Sequence, residues 1–243
     1  MPDEHHRDLL LTPENVRAWL GSPRLERYLS AVGGDDALAL RLYDWNAKVA
    51  AAALVDVGHL EVALRNSYDR QLSRRYPGWA VDESEDLFSR VQGDPRTQRA
   101  QRTLDERSRR EVTSAARGLG GNPSHGQVVA ALSFGFWGQL TRAERTATFW
   151  TPMIQYSFPR GKRRGAVHAL VQNTIRFRNR LAHNEPVFST RTGLRQRLQE
   201  VRTLFELVHP QASAWTEEHS DVPALVAKCP VTGLIPTDTS RPA

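Results

Sequence analysis

Cysteine is nearly missing from this chain of 243 residues, with Cys229 its only representative. One thiol excludes an internal disulfide and any zinc cluster built on cysteine, and it fits a reducing cytoplasm. Lysine is scarce as well. It occurs only at Lys48, Lys162 and Lys228, so the formal charge of +6 is carried by arginine. Arginine grips phosphate through paired N–H donors and stacks on bases, which makes nucleic acid a natural partner. A GC-rich coding sequence gives the same bias with no partner at all. No apolar run approaches the roughly 18 residues of a membrane span. The opening MPDEHHRDLLL has no apolar segment of the signal-peptide kind. Strand-type alternation and internal repeats are both absent. The expected fold class is all-α.

What is present is ordinary in bulk, with 40% hydrophobic and 25% charged residues, and the length suffices for a sizeable core. Residues 1–35 read as a helical lead-in, with Thr12 capping a helix that opens on Pro13. A main helical domain is expected over 36–208. Its longest periodic run carries Leu38, Leu42, Trp45, Val49, Ala52, Val57, Leu60, Leu64, Tyr68 and Leu72, which spells one helix, or two with a kink near Gly58. Residues 77–103 read as a loop or insertion, and 103–119 as a charged helix. A Ser124/Gln127 capping box precedes an apolar helix over 128–140. FPRGKRRG (158–165) is a basic connector into a helix over 166–183, in which RGKRRG (160–165) reads equally as a contact for RNA phosphates or as a solvated linker, and 191–208 is amphipathic. Residues 209–243 hold a last short helix, over 211–228, and a loosely ordered tail.

The stretch RNRLAHNEP (178–186) raises the functional question. In the helix before it, Val167, Leu170, Val171, Thr174, Ile175, Leu181 and Ala182 form an apolar stripe, and the position missing from that series is Arg178. A charge on an inward stripe needs a carboxylate or an anion beside it. Asn179 and His183 share a face at i, i+4, whereas Arg178 and His183 are about 140° apart on an ideal helix. Pro186 disfavours helical backbone at Glu185 and puts His183 in or just past the last turn. There the helix C-terminus favours the imidazolium while Arg176, Arg178 and Arg180 oppose it, so the ring can titrate near neutrality. Arg178 would then hold a phosphate. A structural histidine capping helix carbonyls fits the same short pattern.

IRFRNRLAHNEPVF (175–188) resembles the signature of the Abi-like abortive-infection proteins, whose core is a HEPN domain. LYDWNAKVAAALVDVGHLEVALRNSYDRQL (42–72) is similar to the family's first long helix, and HGQVVAALSFGFWGQL (125–140) to its central one. The resemblance spans about 36–188. It implies a HEPN-type helical bundle, here with additional N- and C-terminal helices. It also implies an R-x4-6-H ribonuclease motif that maps onto Arg178, Asn179 and His183. The implied chemistry is metal-independent cleavage of RNA by attack of the ribose 2′-hydroxyl, with no cofactor, in a composite cleft of a cytoplasmic homodimer active in anti-phage defence. An antitoxin protein or RNA is an expected partner. The tyrosine modified in some family members, two positions after the histidine, is replaced here by Glu185, which departs from that mode of control.

Supporting or RNA-contacting roles are open for Glu61, Arg65, Asn66, Arg176 and Arg180. Glu61 either neutralises Arg178 or orients His183, with Arg65 and Asn66 lining the RNA groove, or it staples the helix surface to Arg65. Trp45 reads as core more readily than as a base-stacking platform, and His125 as structural. Gly135 and Gly138 read as sites of close helix packing. The alternative function is a helical module that binds RNA or scaffolds a partner without cutting.

Overall fold

In a computed structural model of the chain, residues 12–82, 87–89, 91–188 and 193–235 are described; the N-terminal MPDEHHRDLLL and the tail beyond residue 235 lie outside these. Every regular element among the described residues is helical. In chain order these are α1 (Pro13–Leu20), α2 (Ser22–Ala31), α3 (Asp36–Ser73), α4 (Pro95–Leu119), α5 (His125–Ala131), α6 (Phe134–Gln139), α7 (Arg164–Ala182), α8 (Leu194–Val208), α9 (Pro210–His219) and α10 (Val222–Ala227). The expectation of an all-α fold holds. Contacts group the chain into two compact units. One comprises the chain up to Ala53, Arg180–Arg195 and the chain from Asp221 on; the other comprises Leu54–Asn179 and Gln196–Ser220.

Capping chemistry sets several helix starts as expected. The Thr12 hydroxyl accepts from the Asn15 N–H at the head of α1, and the reciprocal Ser124/Gln127 box opens α5. Elsewhere the boundaries move. Asp94 accepts from the N–H groups of Arg96 and Thr97, so α4 begins at Pro95 and takes over the end of the expected 77–103 loop. The apolar stretch 128–140 is two helices, because Leu132 turns extended and Ser133 caps a new start at Phe134. The short helix expected over 211–228 is likewise two, α9 and α10. By contrast α3 runs unbroken through Gly58 for 38 residues. It buries Leu42, Trp45, Val49, Val57, Leu60, Leu64, Tyr68 and Leu72.

The segment between α6 and α7, 140–163, carried no periodic signal, yet it is helical in short pieces. A 3-10 turn at Ala143–Arg145 runs into a single π-helical turn at Thr146–Trp150, with a second 3-10 turn at Ile154–Ser157. These turns deliver Arg145 into the interior of the second unit, where it is fully buried. Its Nη2 donates to Asp105 Oδ1 at 2.7 Å and to Ser108 Oγ at 3.0 Å, both from α4. Its guanidinium carbon lies 4.6 Å from the Phe149 ring centre and 5.8 Å from that of Phe88. Burial lowers the Arg145 pKa to about 10 while Asp105 pulls it back up, so the group stays charged at neutrality. Around it, Trp79 stacks on Phe136 at 6.0 Å, and Phe136 meets Trp137 edge-on at 4.9 Å.

Close approach also shapes the α6–α7 contact. A Cβ on Gly138 would sit 2.4 Å from Ile175 Cδ1 and 2.9 Å from Gln172 Nε2, so glycine is what lets α7 in. Gly135 has no such contact: its nearest neighbour, Ser133 Oγ, is at 3.5 Å, so the expected close packing applies to Gly138 alone.

Removing one member of a buried ion pair strands the other charge. Asp105→Ala is therefore expected to cost about 3–5 kcal/mol in urea unfolding. The double substitution Asp105→Leu with Arg145→Met should recover most of that loss. A single variant within about 1 kcal/mol of wild type would show that the pair does not organise this core.

Candidate functional site

The chain leaves α7 by a defined backbone route. The Asn184 N–H donates to the Leu181 carbonyl and the Glu185 N–H to the Arg180 carbonyl, both at 3.0 Å. Asn184 has φ 49°, the only positive φ at a non-glycine residue among the described residues. This is the paired closure in which a left-handed residue follows the helix cap and its neighbours satisfy the last carbonyls. Asparagine tolerates that backbone because its short side chain bonds locally. His183 is consequently the C-cap residue, just past the last turn. Pro186 was the expected cause of the stop. Asn184 ends the helix first, and Pro186 lies buried two residues beyond it.

Asn46, fully buried on α3, holds the segment that follows. Its Nδ2 donates to the Glu185 carbonyl at 3.3 Å and its Oδ1 accepts from the Val187 N–H at 2.8 Å. One side-chain amide thus plays the part of a neighbouring strand for three residues that have no strand beside them. Adjacent Trp45 is buried and donates from Nε1 to the Leu225 carbonyl at 2.7 Å. It is core, as the sequence indicated. Arg24 of α2 donates to the His183 carbonyl at 3.3 Å. The cap residue is therefore fixed through its backbone, while its exposed ring forms no hydrogen bond among the described residues.

The three arginines of RFRNR differ in what they do. Arg176 is exposed and donates to Asn173 Oδ1 at 2.5 Å. Arg180 is held twice, by Glu185 at 3.3 Å and by the Pro186 carbonyl at 3.0 Å. Arg178 is half-buried, and among the described residues it makes no hydrogen bond or ion pair. The buried stripe of α7 is Val167, Val171, Thr174, Phe177 and Leu181. Phe177, not Arg178, takes the inward place assigned to the arginine, which stands at the stripe's edge. Leu170 and Ile175 are only half-buried and Ala182 is exposed. Asn179 is exposed and uncommitted.

On α3, Glu61 is half-buried. Burial raises its carboxyl above the usual range, and the positive charges of Arg178 and Arg65 pull it back down. Glu61 and Arg178 thus share one electrostatic neighbourhood. The Glu61–Arg65 staple does not form; Arg65 instead donates to the Ala130 carbonyl of α5 at 3.4 Å. Asn66 is exposed.

Two titratable clusters escaped the sequence reading. Asp69 Oδ1 receives Ser73 Oγ at 3.1 Å, Trp79 Nε1 at 2.8 Å and His125 Nε2 at 2.8 Å. That network pins the turn after α3 to the start of α5, so His125 is structural, as expected. His168, on the first turns of α7, bonds to Thr141. No spacing rule links residues of separate elements.

Among the described residues no group of three or more His, Cys, Asp or Glu is placed to hold a metal ion, and no helix is long and apolar enough to cross a membrane. No protein-family model, curated protein or solved structure matches the chain.

Asn46→Ala leaves the part-buried Glu185 carbonyl and the buried Val187 N–H without their partner and should cost about 1–3 kcal/mol, most of it from the stranded N–H. Chemical denaturation measures the loss, and faster amide exchange at Val187 localises it. An unchanged midpoint would rule out the clamp. A carboxyl with a raised folded-state pKa stabilises the fold only where it is protonated; that contribution is complete below its ordinary value and is lost as pH rises through the raised one. Glu61→Gln should accordingly gain on wild type in stability between about pH 4 and about pH 7. Parallel pH profiles would contradict the assignment.

Proposed function

We propose that the protein is a metal-independent endoribonuclease of the HEPN type, in which Arg178 holds the scissile phosphate and His183 moves the proton. The carrying observation is that Arg178, Asn179 and His183, the residues of the motif, form no side-chain hydrogen bond or ion pair among the described residues, with Arg178 half-buried and His183 at the C-cap. Their neighbours Arg176 and Arg180 already have partners. A phosphate clamp needs free guanidinium donors, and a general base needs a free ring nitrogen.

In the proposed reaction a neutral imidazole takes the proton of a ribose 2′-hydroxyl. The O2′–P bond forms, the P–O5′ bond breaks, and an imidazolium returns a proton to the departing O5′. The products are a 2′,3′-cyclic phosphate and a 5′-hydroxyl. Base and acid are two imidazoles, and the chain carries one copy of the motif, so the site is assembled from two copies of the chain. Arg178 stabilises charge that develops on the non-bridging oxygens. Asn179, on the His183 face, orients the phosphate or the ring. Glu61 keeps Arg178 from facing an uncompensated positive field. Arg65, Asn66, Arg176 and Arg180 supply further contacts along the RNA.

The biological setting that accompanies this reading is cytoplasmic: abortive anti-phage defence, with an antitoxin protein or RNA holding the enzyme silent. A second reading, RNA binding or scaffolding without cleavage, is favoured by the single motif, since one chain offers one imidazole where the chemistry uses two. Incubation of purified protein with mixed RNA in excess EDTA separates them. Cleavage should survive chelation and fall at least about hundredfold in His183→Ala and in Arg178→Ala. Binding with no cutting by wild type supports the second reading, and cutting unchanged in both variants removes this pair from the chemistry.

A further inference from the structure

The basic connector and the first turns of α7 form a second cluster away from the RFRNR stretch. Thr141 Oγ1 lies 3.0 Å from the Gly138 carbonyl and 2.8 Å from His168 Nδ1. A carbonyl only accepts, so the single hydroxyl proton goes to Gly138, and Oγ1 must then accept from Nδ1–H. The hydrogen-bond network thereby assigns the tautomer. In the neutral ring Nε2 holds the lone pair, and among the described residues it has no partner.

Charges facing this half-buried ring come from both elements that pack around it. On its own helix are Arg164, one turn before, and Arg176, two turns after. From the turn that follows α6 come Arg142 and Glu144, which pair with each other at 2.9 Å. Burial, Arg164 and Arg142 lower the His168 pKa below the ordinary imidazole value, Glu144 raises it, and Arg176 lowers it further. Arg164 donates to the Thr141 carbonyl at 2.7 Å and has no ion pair among the described residues. Leading into it, Arg160, Lys162 and Arg163 are exposed and unpaired among the described residues. The N-terminus of α7, a 19-residue helix, favours an anion as well.

We infer that Arg142, Arg160, Lys162, Arg163, Arg164 and His168 form a seat for the phosphodiester backbone of RNA, in which His168 takes up a proton at Nε2 as the strand binds. The basic residues are strung along a connector and a helix end and do not converge on one pocket, which suits a chain of phosphates better than a single anion. Without the strand, a proton on His168 adds to a local excess of arginine charge; with a phosphate beside it, that penalty disappears. Proton uptake and strand binding are therefore reciprocal. The choice of RNA over DNA rests on the nuclease reading; the seat itself does not.

The probe is a short, fluorescently labelled 2′-O-methyl RNA, whose capped 2′-oxygen cannot attack, so cleavage does not enter the measurement. Wild-type affinity by anisotropy should tighten about tenfold from about pH 7.5 to about pH 5.5, one pKa unit of coupling. His168→Asn should reduce that change to less than about twofold, and Arg164→Gln should weaken binding severalfold at both pH values and lower the salt dependence. In wild type, the His168 ring resonances should titrate at higher pH with the probe than without it. Affinity independent of pH, a full pH response in His168→Asn, or a His168 titration unmoved by the probe would each overturn the proposal. An equal shift produced by inorganic phosphate at the same phosphate concentration would overturn the assignment to a nucleic-acid strand. A protein that binds as expected but never cuts RNA defeats the nuclease reading alone.

Discussion

The left-handed turn at Asn184 is the constraint on which the rest of the 178–188 stretch depends. By closing α7 at His183 it spends the last carbonyls of the helix on backbone donors. The imidazole is thereby released from the capping duty that a histidine at this place otherwise performs. It also fixes the direction in which the chain departs, and Asn46 then catches the departing backbone at two points. A side chain on the long helix α3 thus sets the path of a segment far away in sequence. Stability at Asn46 and the chemistry proposed for His183 are consequently linked through a few residues of backbone.

Charge in the same helix is arranged at both ends. At the C-terminal end, one arginine is tied to Asn173 and one to Glu185 and Pro186, and the half-buried Arg178 forms no hydrogen bond or ion pair among the described residues. At the N-terminal end, Arg164 binds the Thr141 carbonyl and His168 is fixed in one tautomer by Thr141. Helix α7 therefore carries two histidines with different surroundings: an exposed one at its C-cap, and a half-buried one whose neutral form is favoured by burial and nearby arginines.

Much of this was legible beforehand. The periodic run from Leu42 to Leu72 marked α3 and its buried face, because residues in one long amphipathic helix announce themselves by spacing alone. Thr12 and the Ser124/Gln127 pair marked true helix starts, since caps are local chemistry. Trp45 reads as core from the sequence, and it is buried. The misses have physical causes. Phe177 and Arg178 are neighbours about 100° apart on the helix, so a small rotation of the stripe exchanges which one faces inward. Pro186 concealed Asn184 as the terminator because both point to the same boundary. The buried Arg145–Asp105 pair and the Thr141–His168 bond reach from a 3-10 turn and from the turn after α6 to other helices, and no periodic signal encodes those. Ser133 splits the 128–140 helix by recapping it, a competition between side-chain and backbone acceptors that composition does not reveal.

The most direct test of the account is the chemistry of the ends left on cut RNA. Mass spectrometry of fragments from a single defined RNA, digested by the full chain in EDTA, should find 2′,3′-cyclic phosphates paired with 5′-hydroxyls. Fragments bearing 3′-hydroxyls and 5′-phosphates, or an RNA that emerges intact, would contradict a mechanism in which Arg178 and His183 drive attack by the ribose itself.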